Sequence, residues 1–456
     1  MKKSFYSYDI NAILLEPASQ CDKLIPDSFQ HSGFAYFMVF SFLRIMKSIM
    51  DTIIHAPLKY KFAGINTYCH LYDKKILFRL PTLNNKRTLA RVIDIVSREK
   101  NNVQVIEKEL DSKTYPLVLI YLVSLCNLPS LWRGFKSLNE REKRIACYFM
   151  AYFAYTPGVV WFYNHMLKNH RPECVVLAND HTFVTKPLEY ICEEFDIPCM
   201  YIQHASVSSA FPELHFSCSF LDGIDSLEKY TSNNKQTRGK IVLLGAGRYD
   251  FLGEYRMKRD KRIRKCIGIA INDFDDNKKC DNTCNFLLER FPDITIKVRM
   301  HPSMKDRPFI FSNKERVIST CATDETIIEY LDSIDLQISN DSGVHLDAVL
   351  GGVRTIAYNL SNYEFGDNYE YLKNGLIYLA KDVDELAKCV EDPLCFANDI
   401  TKIRRYDESF GKTYAGHCSD IIADFILSNS NMKVLSDKYN MERKYLGEHE
   451  YYVIKD

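Results

Sequence analysis

The chain has 456 residues, and its 59 basic and 59 acidic side chains give a formal net charge of zero. This balance argues against nucleic acid as the main partner, because nucleic-acid binding usually requires a strongly basic face. The length exceeds what one hydrophobic core supports, which indicates two domains. A content of 46% hydrophobic and 26% charged residues is typical of a folded cytosolic protein.

The 15 cysteines are scattered along the chain, and the two closest are Cys280 and Cys284. An odd number of dispersed cysteines fits reduced, mostly buried thiols in a cytoplasm. Because no Cys and His residues share the spacing of zinc ligands, the sequence predicts no metal site.

Two apolar segments bear on membrane contact. Residues 33–46 are too few to span a bilayer, and residues 115–132 are interrupted by Asn127 and Pro129. Both segments read as core helices, with helices lying on a membrane surface as the alternative. Arg44 and Lys47 next to the first segment keep a peripheral contact open. The N-terminus is a poor signal peptide, so we predict a cytoplasmic protein and leave contact with the inner face of the plasma membrane open.

The first half of the chain starts with amphipathic helix patterns and a predicted β-hairpin over residues 65–80, which turns at Asp73 and Lys74. Residues 174–180 then read as a buried strand, 186–197 as a helix and 198–206 as the next strand. Strand, helix and strand joined by short connections predict a parallel sheet with a right-handed crossover. Residues 240–252 add a strand and a glycine turn, and the charged segment 253–265 reads as a hinge or an exposed helix.

A second alternating series follows at once. It has predicted strands at 266–273, 293–302, 315–320, 335–343 and 353–360, and predicted helices at 283–291, 324–334 and 344–352. We therefore predict an α/β protein with two doubly wound domains, joined near residue 258 and separated by a cleft. The division is 1–258, of which 1–140 are a partly helical extension, then 259–430, and a C-terminal tail at 431–456.

The sequence IKVRMHPSMKD, residues 296–306, ends a predicted strand in polar side chains. Proline cannot donate to a strand ladder, so the strand must stop near His301. Open α/β sheets bind their ligands at the carboxyl ends of strands. His301, Ser303 and Arg299 are therefore candidate binding residues.

The sequence SNDSG comes directly before a predicted helix and provides Ser339, Asn340, Asp341, Ser342 and Gly343. Hydroxyls and small residues at a helix N-terminus leave N–H groups that suit a phosphate. The alternative is a plain helix cap, which Asp341 or Ser342 would supply alone. The pairing with RMHP upstream favours the phosphate site.

Two further strand ends are less specific. Asn272 and Asp273 follow a predicted strand and are suited to a base or ribose, or equally to a turn. The segment GAGRYD, residues 245–250, lacks the GxGxxG form of a dinucleotide fingerprint, so its glycines are assigned to a tight turn at the domain junction.

In the first domain, Asp180 and His181 end one predicted strand, and Gln203 and His204 end the next. A carboxylate or imidazole there is placed to take a proton from an acceptor hydroxyl. The alternative is that Asp180 caps a helix and His204 is a satisfied, half-buried residue. We list Asp180, His181 and His204 as candidate catalytic residues.

The order of YIQHA, LLGAGRYD, RMHP and ISNDSGVHLDAVLGGVRTIAY resembles that of certain GT-B transferases over roughly residues 170–360. The group is that of bacterial capsule and cell-surface polymers: polysialyltransferase-like and Kdo-transferase-like enzymes and CDP-glycerol glycerophosphotransferases. Their K-x-H-P strand end and D-[YS]-S-S-x-x-x-[DE] helix start hold the phosphates of the donor. In this chain Arg299 stands where lysine is usual, NDSG replaces a double serine, QHA replaces QHG, and FLDG at 220–223 is a poor match to the acidic D/E-D/E-G motif.

The resemblance implies a GT-B-like, metal-independent glycosyltransferase with residues 1–258 on the acceptor side and 259–430 binding the donor. It would move a sugar or polyol phosphate from a nucleotide-activated donor, CMP- or CDP-linked, to a growing surface polysaccharide or a lipid-linked glycan, with no cofactor besides that substrate. His301 matches the HP histidine; Ser339, Asp341 and Ser342 match the hydroxyl-rich turn; and His345 and Asp347 lie on its helix. Asp180 is assigned as the base by position.

Two other readings stay open. The first is a UDP-N-acetylglucosamine 2-epimerase-like isomerase, which has the same two-domain fold and an HP motif. Its DSGG-x-x-E-E motif resembles NDSGVHLDA of this chain almost as well as the transferase motif does. A non-catalytic nucleotide-binding component of surface-polymer assembly would account for the missing acidic motif, and it predicts nucleotide binding without turnover.

Overall fold

The computed structural model describes residues 34–50, 57, 60, 63–180, 182–209, 211–258, 265–392 and 399–455. Its strands are β1 Ile76–Arg79, β2 Val103–Ile106, β3 Cys174–Leu177, β4 Cys199–Ile202, β5 Cys218–Leu221, β6 Lys240–Leu243, β7 Cys266–Ile271, β8 Thr295–Met300, β9 Val317–Cys321, β10 Leu336–Ser339, β11 Arg354–Tyr358, β12 Leu379–Ala380, β13 Met441–Leu446 and β14 His449–Ile454.

Its α-helices are α1 Phe34–Ile49, α2 Leu83–Glu99, α3 Leu117–Cys126, α4 Leu128–Ser137, α5 Glu140–Tyr148, α6 Met150–Asn169, α7 Thr185–Glu194, α8 Ile224–Thr231, α9 Asp250–Lys258, α10 Asn277–Arg290, α11 Ile327–Ser333, α12 Val344–Leu350, α13 Val383–Glu391, α14 Ile400–Arg404, α15 Cys418–Leu427 and α16 Met432–Tyr439. Short 3-10 helices lie at Ile65–Leu71, Ser232–Asn234, Gly247–Tyr249 and Pro302–Met304.

The strands form two sheets. The first has eight strands in the order β13-β14-β6-β5-β4-β3-β1-β2, and the second has six in the order β12-β11-β10-β7-β8-β9. Among the described strands, only β13 and β14 pair in an antiparallel way. Parallel sheets with helices on both faces are the doubly wound arrangement, which confirms the predicted fold class.

Alternation along each strand explains why helices cover both faces of the first sheet. Successive side chains of a strand point to opposite faces. Ile76 and Phe78 of β1 lie in one apolar cluster, with α2 and α15. Leu77, between them, lies in the other cluster, with α6 and α7. In the second sheet the same division places α10 and α13 on one face and α11 and α12 on the other.

The predicted hairpin at residues 65–80 is wrong. Ile65–Leu71 form a 3-10 helix, and β1 pairs in parallel with β2 and β3. Lys74, with φ of 52°, lies in the turn between them. Tyr68 and Tyr72 are buried and pack on Phe162 of α6, so their helical spacing, and not a strand alternation, satisfies the core.

The segment predicted as a C-terminal tail, residues 431–456, forms part of the first sheet instead. Within it β14 pairs with β6, and β13 pairs with β14. Before it, α15 packs against α2. Local patterns cannot show this return, because the partners of these elements lie far upstream in the chain. The boundary near residue 258 stays a prediction: α9 ends at Lys258, and residues 259–264 lie outside the described part.

The GAGRYD segment is where the returning chain meets the first sheet. Gly245 has φ of +99°, and a Cβ there would lie 2.6 Å from Asp407 Oδ1. Asp250 accepts hydrogen bonds from the backbone N–H groups of Cys418 at 2.9 Å and Ser419 at 2.8 Å. These N–H groups belong to the first turn of α15 and have no partner within the helix. The glycine therefore serves a turn, as the sequence predicts.

Within the described ranges, no single helix is long and apolar enough to cross a bilayer. Two bent pairs reach that length and hydropathy jointly: Leu117–Cys126 with Leu128–Ser137, bent by 60°, and Glu140–Tyr148 with Met150–Asn169, bent by 73°. The described cysteines are free thiols, and all but Cys69 and Cys126 are buried.

Candidate functional site

The carboxyl ends of β10, β7 and β8 are neighbours in the second sheet. Three of the predicted segments follow these ends: residues 340–343, 272–273 and 301–303. Because parallel strands end at the same edge, the fold brings these segments side by side. We call them together the second-sheet edge.

His301, Ser303 and Asp273 form a polar chain at this edge, and all three side chains are exposed. His301 precedes the 3-10 turn Pro302–Met304, and its Nδ1 lies 2.6 Å from Ser303 Oγ. Ser303 in turn donates a hydrogen bond to the Asp273 carboxylate. The chain fixes the imidazole while leaving its Nε2 side open to a ligand.

Arg299 lies on the same face of β8 as His301 and is half-buried. Its Nη2 donates to the Glu325 carbonyl at 3.4 Å, and its guanidinium lies 5.6 Å from the centroid of the Tyr330 ring. Its buried Nε has no hydrogen-bond partner among the described residues. The guanidinium of Arg299 therefore lies between the Glu325 carbonyl and the Tyr330 ring and has donor capacity left over.

The turn at residues 339–343 is partly structural. Ser339 is buried and donates to the Ala270 carbonyl at 2.8 Å, and the buried Asn340 donates to Asp275 Oδ1 at 3.0 Å. Asn272 is also engaged within the fold, since its Oδ1 accepts from the Phe274 N–H at 2.8 Å. The side chains of Ser339, Asn340 and Asn272 thus hold the edge together.

The remaining turn residues are closer to solvent. Asp341 Oδ2 accepts from the Asn368 N–H at 2.7 Å, and Ser342 Oγ accepts from the Val344 N–H at 3.4 Å. Gly343 takes the N-cap position of α12, and because Ser342 Oγ accepts from the first N–H of that helix, a capping role for Ser342 stays open. A Cβ at Gly343 would meet no atom within 4 Å. Open space lies in front of this backbone.

His345, the second residue of α12, is fully buried. Its Nδ1 lies 2.5 Å from Thr355 Oγ1 and its Nε2 lies 2.9 Å from the Asn340 carbonyl. Burial lowers its pKa to about 4, so the imidazole is neutral near pH 7. It supports the turn from below and does not reach the open space.

The carboxyl ends of β3, β4 and β5 in the first sheet, which we call together the first-sheet edge, are more enclosed. Asp180 is fully buried, and the Tyr230 hydroxyl donates to its Oδ2 at 2.7 Å while lying 3.0 Å from the Tyr201 hydroxyl. His204 is half-buried at the end of β4. The predicted candidate His181 lies outside the described residues. Of the described candidates, His204 is the one that reaches solvent.

A second buried network at this edge was not foreseen from the sequence. Arg248 forms a two-pronged ion pair with Asp222, with Nη1 3.0 Å from Oδ1, and its Nη1 also donates to the Gln203 carbonyl at 3.2 Å. Burial raises the pKa of Asp222, against the lowering influence of Arg248. Asp222 belongs to the FLDG segment and Arg248 to the GAGRYD segment. Neither segment, considered separately, predicts that the two form an ion pair.

Contacts between the domains show that the two edges face each other. Ser206, just after β4, lies 2.7 Å from the Tyr371 hydroxyl. The positive charges of Arg299, Arg248 and Arg87 favour the ionised form of the Asp347 carboxylate in α12. Burial nevertheless raises the pKa of Asp347. Arg248 of the first domain and Arg299 of the second therefore lie near the same carboxylate.

No group of three or more His, Cys, Asp and Glu side chains close enough to hold a metal ion occurs in the part of the chain that the structure describes. The arrangement offers cations, an imidazole, hydroxyls and free backbone in one cleft. Such groups bind an anion, and phosphate above all.

Comparison with known proteins gives the fold and no closer relationship. No family model and no curated protein matches the sequence. A putative UDP-N-acetylglucosamine 2-epimerase from Listeria monocytogenes aligns over 78% of this chain and 96% of its own, with a TM-score of 0.50 and 14% identity. The UDP-N-acetylglucosamine 2-epimerase from Rickettsia bellii aligns over 78% of this chain and 97% of its own, with a TM-score of 0.48 and 11% identity. The wall teichoic acid polymerase TagF aligns over 88% of this chain and 98% of its own, with a TM-score of 0.47 and 12% identity. The first match and the two parallel sheets together establish an α/β, GT-B-like fold with two Rossmann-like domains facing a cleft.

Proposed function

We propose that this chain is a GT-B-type glycosyltransferase that moves a sugar or polyol phosphate from a nucleotide-activated donor, CMP- or CDP-linked, to a surface polysaccharide or lipid-linked glycan. It would act in the cytoplasm, without a metal or further cofactor. The observation that carries the proposal is the second-sheet edge, which holds both the exposed His301 and Ser303, after β8, and the open backbone of Gly343, after β10. The donor class and the acceptor come from the resemblance of RMHP and SNDSG to the transferase motifs.

The donor phosphate would bind at this edge. As the bond to the sugar breaks, negative charge develops on the leaving phosphate. His301 and Arg299 would offer hydrogen bonds to that charge, and preorganised donors of this kind are worth about 3–4 kcal/mol each in the transition state. Their supports within the fold, Asn340 and His345, keep the geometry fixed.

The acceptor hydroxyl would approach from the first-sheet edge and lose a proton there. His204 is better exposed for this role than Asp180, whose carboxylate is enclosed with Tyr230. We therefore place His204 first among the candidate bases. A base must come within about 2.6–3.2 Å of the proton-bearing oxygen, and the half-buried His204 is closer to solvent than the fully buried Asp180.

One observation favours a second candidate function. The structure that matches with a TM-score of 0.50 is that of a putative 2-epimerase. An isomerase would bind the same nucleotide at the same edge but would need no acceptor. The two functions therefore differ in their products, not in the nucleotide site.

The test begins with thermal stabilisation by CMP, CDP, UDP, GDP and ADP, for the wild type and for His301→Ala. A nucleotide at 100 times its Kd stabilises the folded state by about 2.7 kcal/mol. Losing one hydrogen bond to a charged group costs about 1.5–3 kcal/mol, so His301→Ala should weaken binding by roughly tenfold or more. His70→Ala, an exposed histidine in the Ile65–Leu71 helix, is the matched control.

The nucleotide that stabilises the protein then names the donors to assay. Release of that nucleotide only when a glycan acceptor is present supports a transferase, and isomerised donor without acceptor supports the epimerase. Binding with no turnover would leave a nucleotide-binding component. No stabilisation by any nucleotide at millimolar concentration would refute the site itself.

A further inference from the structure

The bend between α3 and α4 exposes an unusual density of apolar side chains. Leu122, Leu125, Leu128 and Trp132 are each 50–57% exposed and fall within eleven residues. In α4 no residue is buried. We call residues 117–137 the helical elbow.

The elbow is held rigidly on the protein. The opposite face of α3 packs on α6, where Gly158 allows so close an approach that a Cβ would lie 2.0 Å from the Ile120 carbonyl oxygen. The Gly158 N–H donates to Ser124 Oγ at 2.9 Å. On α4, Leu131 and Phe135 pack against the core of the first domain. The exposed face is therefore preformed and is presented away from the core.

The charge of the elbow is of one sign. Residues 117–137 contain Arg133 and Lys136 and no acidic residue. Lys136 Nζ lies 5.5 Å from the centroid of the Trp132 ring, and Trp132 stacks on Phe135 with centroids 5.8 Å apart. Tryptophan and lysine side chains of this kind concentrate where apolar lipid chains meet polar headgroups.

We propose that the helical elbow inserts into the interfacial layer of a lipid bilayer that carries anionic headgroups. Leu122, Leu125, Leu128 and Trp132 would enter the boundary between headgroups and acyl chains, while Arg133 and Lys136 would pair with lipid phosphates. The partner is anionic lipid and not an acidic protein, because the exposed leucines and Trp132 would stay in contact with water on a hydrated acidic surface but would leave water among acyl chains. The inference does not depend on the transferase reaction.

The chain contains its own probe of this contact. Its two tryptophans are Trp132 and Trp161, so in a Trp161→Phe background the emission reports on the elbow alone. The full chain is mixed with vesicles of phosphatidylcholine, or of phosphatidylcholine and phosphatidylglycerol at about 2:1, which carries a surface charge like that of a cytoplasmic leaflet. We expect a blue shift of Trp132 with the anionic vesicles, a smaller one with neutral vesicles, and quenching by lipids brominated near the headgroup.

Matched variants separate this surface from others. Leu125→Glu and Leu128→Glu should each lower the vesicle-bound fraction by about tenfold at limiting lipid, since each removes an inserted side chain and adds a repelled charge. Lys136→Glu should reduce the preference for anionic over neutral vesicles. Ile310→Glu, in the second domain and 73% exposed in the wild type, is the control and should bind as the wild type does.

Three results would overturn the proposal. The first is no blue shift at excess anionic lipid. The second is binding that survives Leu125→Glu with Leu128→Glu, which places the contact elsewhere. The third is a Trp132 emission that is already blue-shifted without vesicles, which would show that protein covers the elbow. If the protein is then a dimer, a second copy covers it; if it is a monomer, another segment of the same chain does.

Discussion

The two sheet edges that face the cleft are built in opposite ways. At the first-sheet edge, Asp180 and Asp222 are buried and are bonded to Tyr230 and Arg248. At the second-sheet edge, the side chains of His301, Ser303 and Asp273 reach solvent, and the backbone at Gly343 faces open space. A buried polar network costs free energy when it is broken, whereas an exposed one can change its partners. We call the buried network of the first edge the scaffold, and the second edge, which is the proposed donor site, the receptor.

The largest change in stability is expected from Arg248→Met, which breaks the buried ion pair of the first edge. Without the guanidinium, Asp222 is a buried carboxylate with no counter-charge, and breaking such a pair costs about 3–5 kcal/mol. Denaturant titration should show this loss in the free energy of unfolding. The double variant with Asp222→Asn should recover part of it. A loss below about 1 kcal/mol would show that the first edge is not a scaffold.

A pair of glycines gives the next contrast. At Gly245 the φ of +99° and the contact of 2.6 Å with Asp407 Oδ1 leave no room for a side chain, so Gly245→Ala should cost about 2–3 kcal/mol of stability.

Gly343→Ala should keep or slightly raise stability, because the site is open and its φ of −59° suits any residue. It should nevertheless weaken nucleotide binding, since the new methyl group enters the receptor. Thermal unfolding with and without the stabilising nucleotide measures both effects. Equal binding by the wild type and Gly343→Ala would move the donor away from this turn.

The scaffold should also depend on pH. Burial, with the charge of Asp222 adding to it, raises the pKa of Asp407 to about 7. Between pH 4 and pH 7 the folded state thus holds a proton that the unfolded state has released. The contribution of Asp407 to the free energy of unfolding is therefore fully present below about pH 4, and it is lost progressively as the pH rises to about 7.

Relative to Asp407→Asn, the wild type should therefore lose on the order of 2 kcal/mol between pH 5 and pH 8. The asparagine keeps an acceptor for Ser409, whose N–H and hydroxyl lie 3.0 and 2.6 Å from Oδ1. Unfolding curves at each pH give the difference. Parallel curves for the two proteins would contradict the assignment.

The smallest effect is expected from Asp273→Asn at the receptor. The carboxylate is exposed and accepts a hydrogen bond from Ser303, so stability should change by less than about 0.5 kcal/mol. Removing its charge beside a bound phosphate should tighten diphosphate binding by roughly two- to fivefold, a few tenths of a kcal/mol to 1 kcal/mol. Weaker binding would show that Asp273 contacts a donor hydroxyl, and not that it repels a phosphate.

The sequence was informative where structure is local. The strand predicted at residues 266–273 is observed at Cys266–Ile271, and the predicted stop near His301 is confirmed because β8 ends at Met300. The three strand ends of the second domain could be brought together because parallel strands end at one edge. The roles of their side chains stay predictions.

What the sequence missed is non-local. Asp250 caps a helix that starts at Cys418, and Arg248 pairs with Asp222 across two strands' ends. Whether a carboxylate at a strand end is exposed or enclosed depends on such partners, which is why Asp180 and His301 looked equivalent in the sequence. Enclosure of Asp180 by Tyr230 is a property of the fold and has no signature in the residues around it.

The return of the chain to the first sheet has a consequence for biosynthesis. The strand β6 pairs with β5 on one side and with β14 on the other. During translation its second side stays unpaired while about 200 further residues are made, which takes roughly 10–40 s at bacterial rates. An open strand edge over that interval invites pairing between nascent chains. We expect expression in soluble form to depend on the completion of β14, so that a ribosome stalled before His449 leaves an aggregation-prone chain even when all strands of the second sheet have been made.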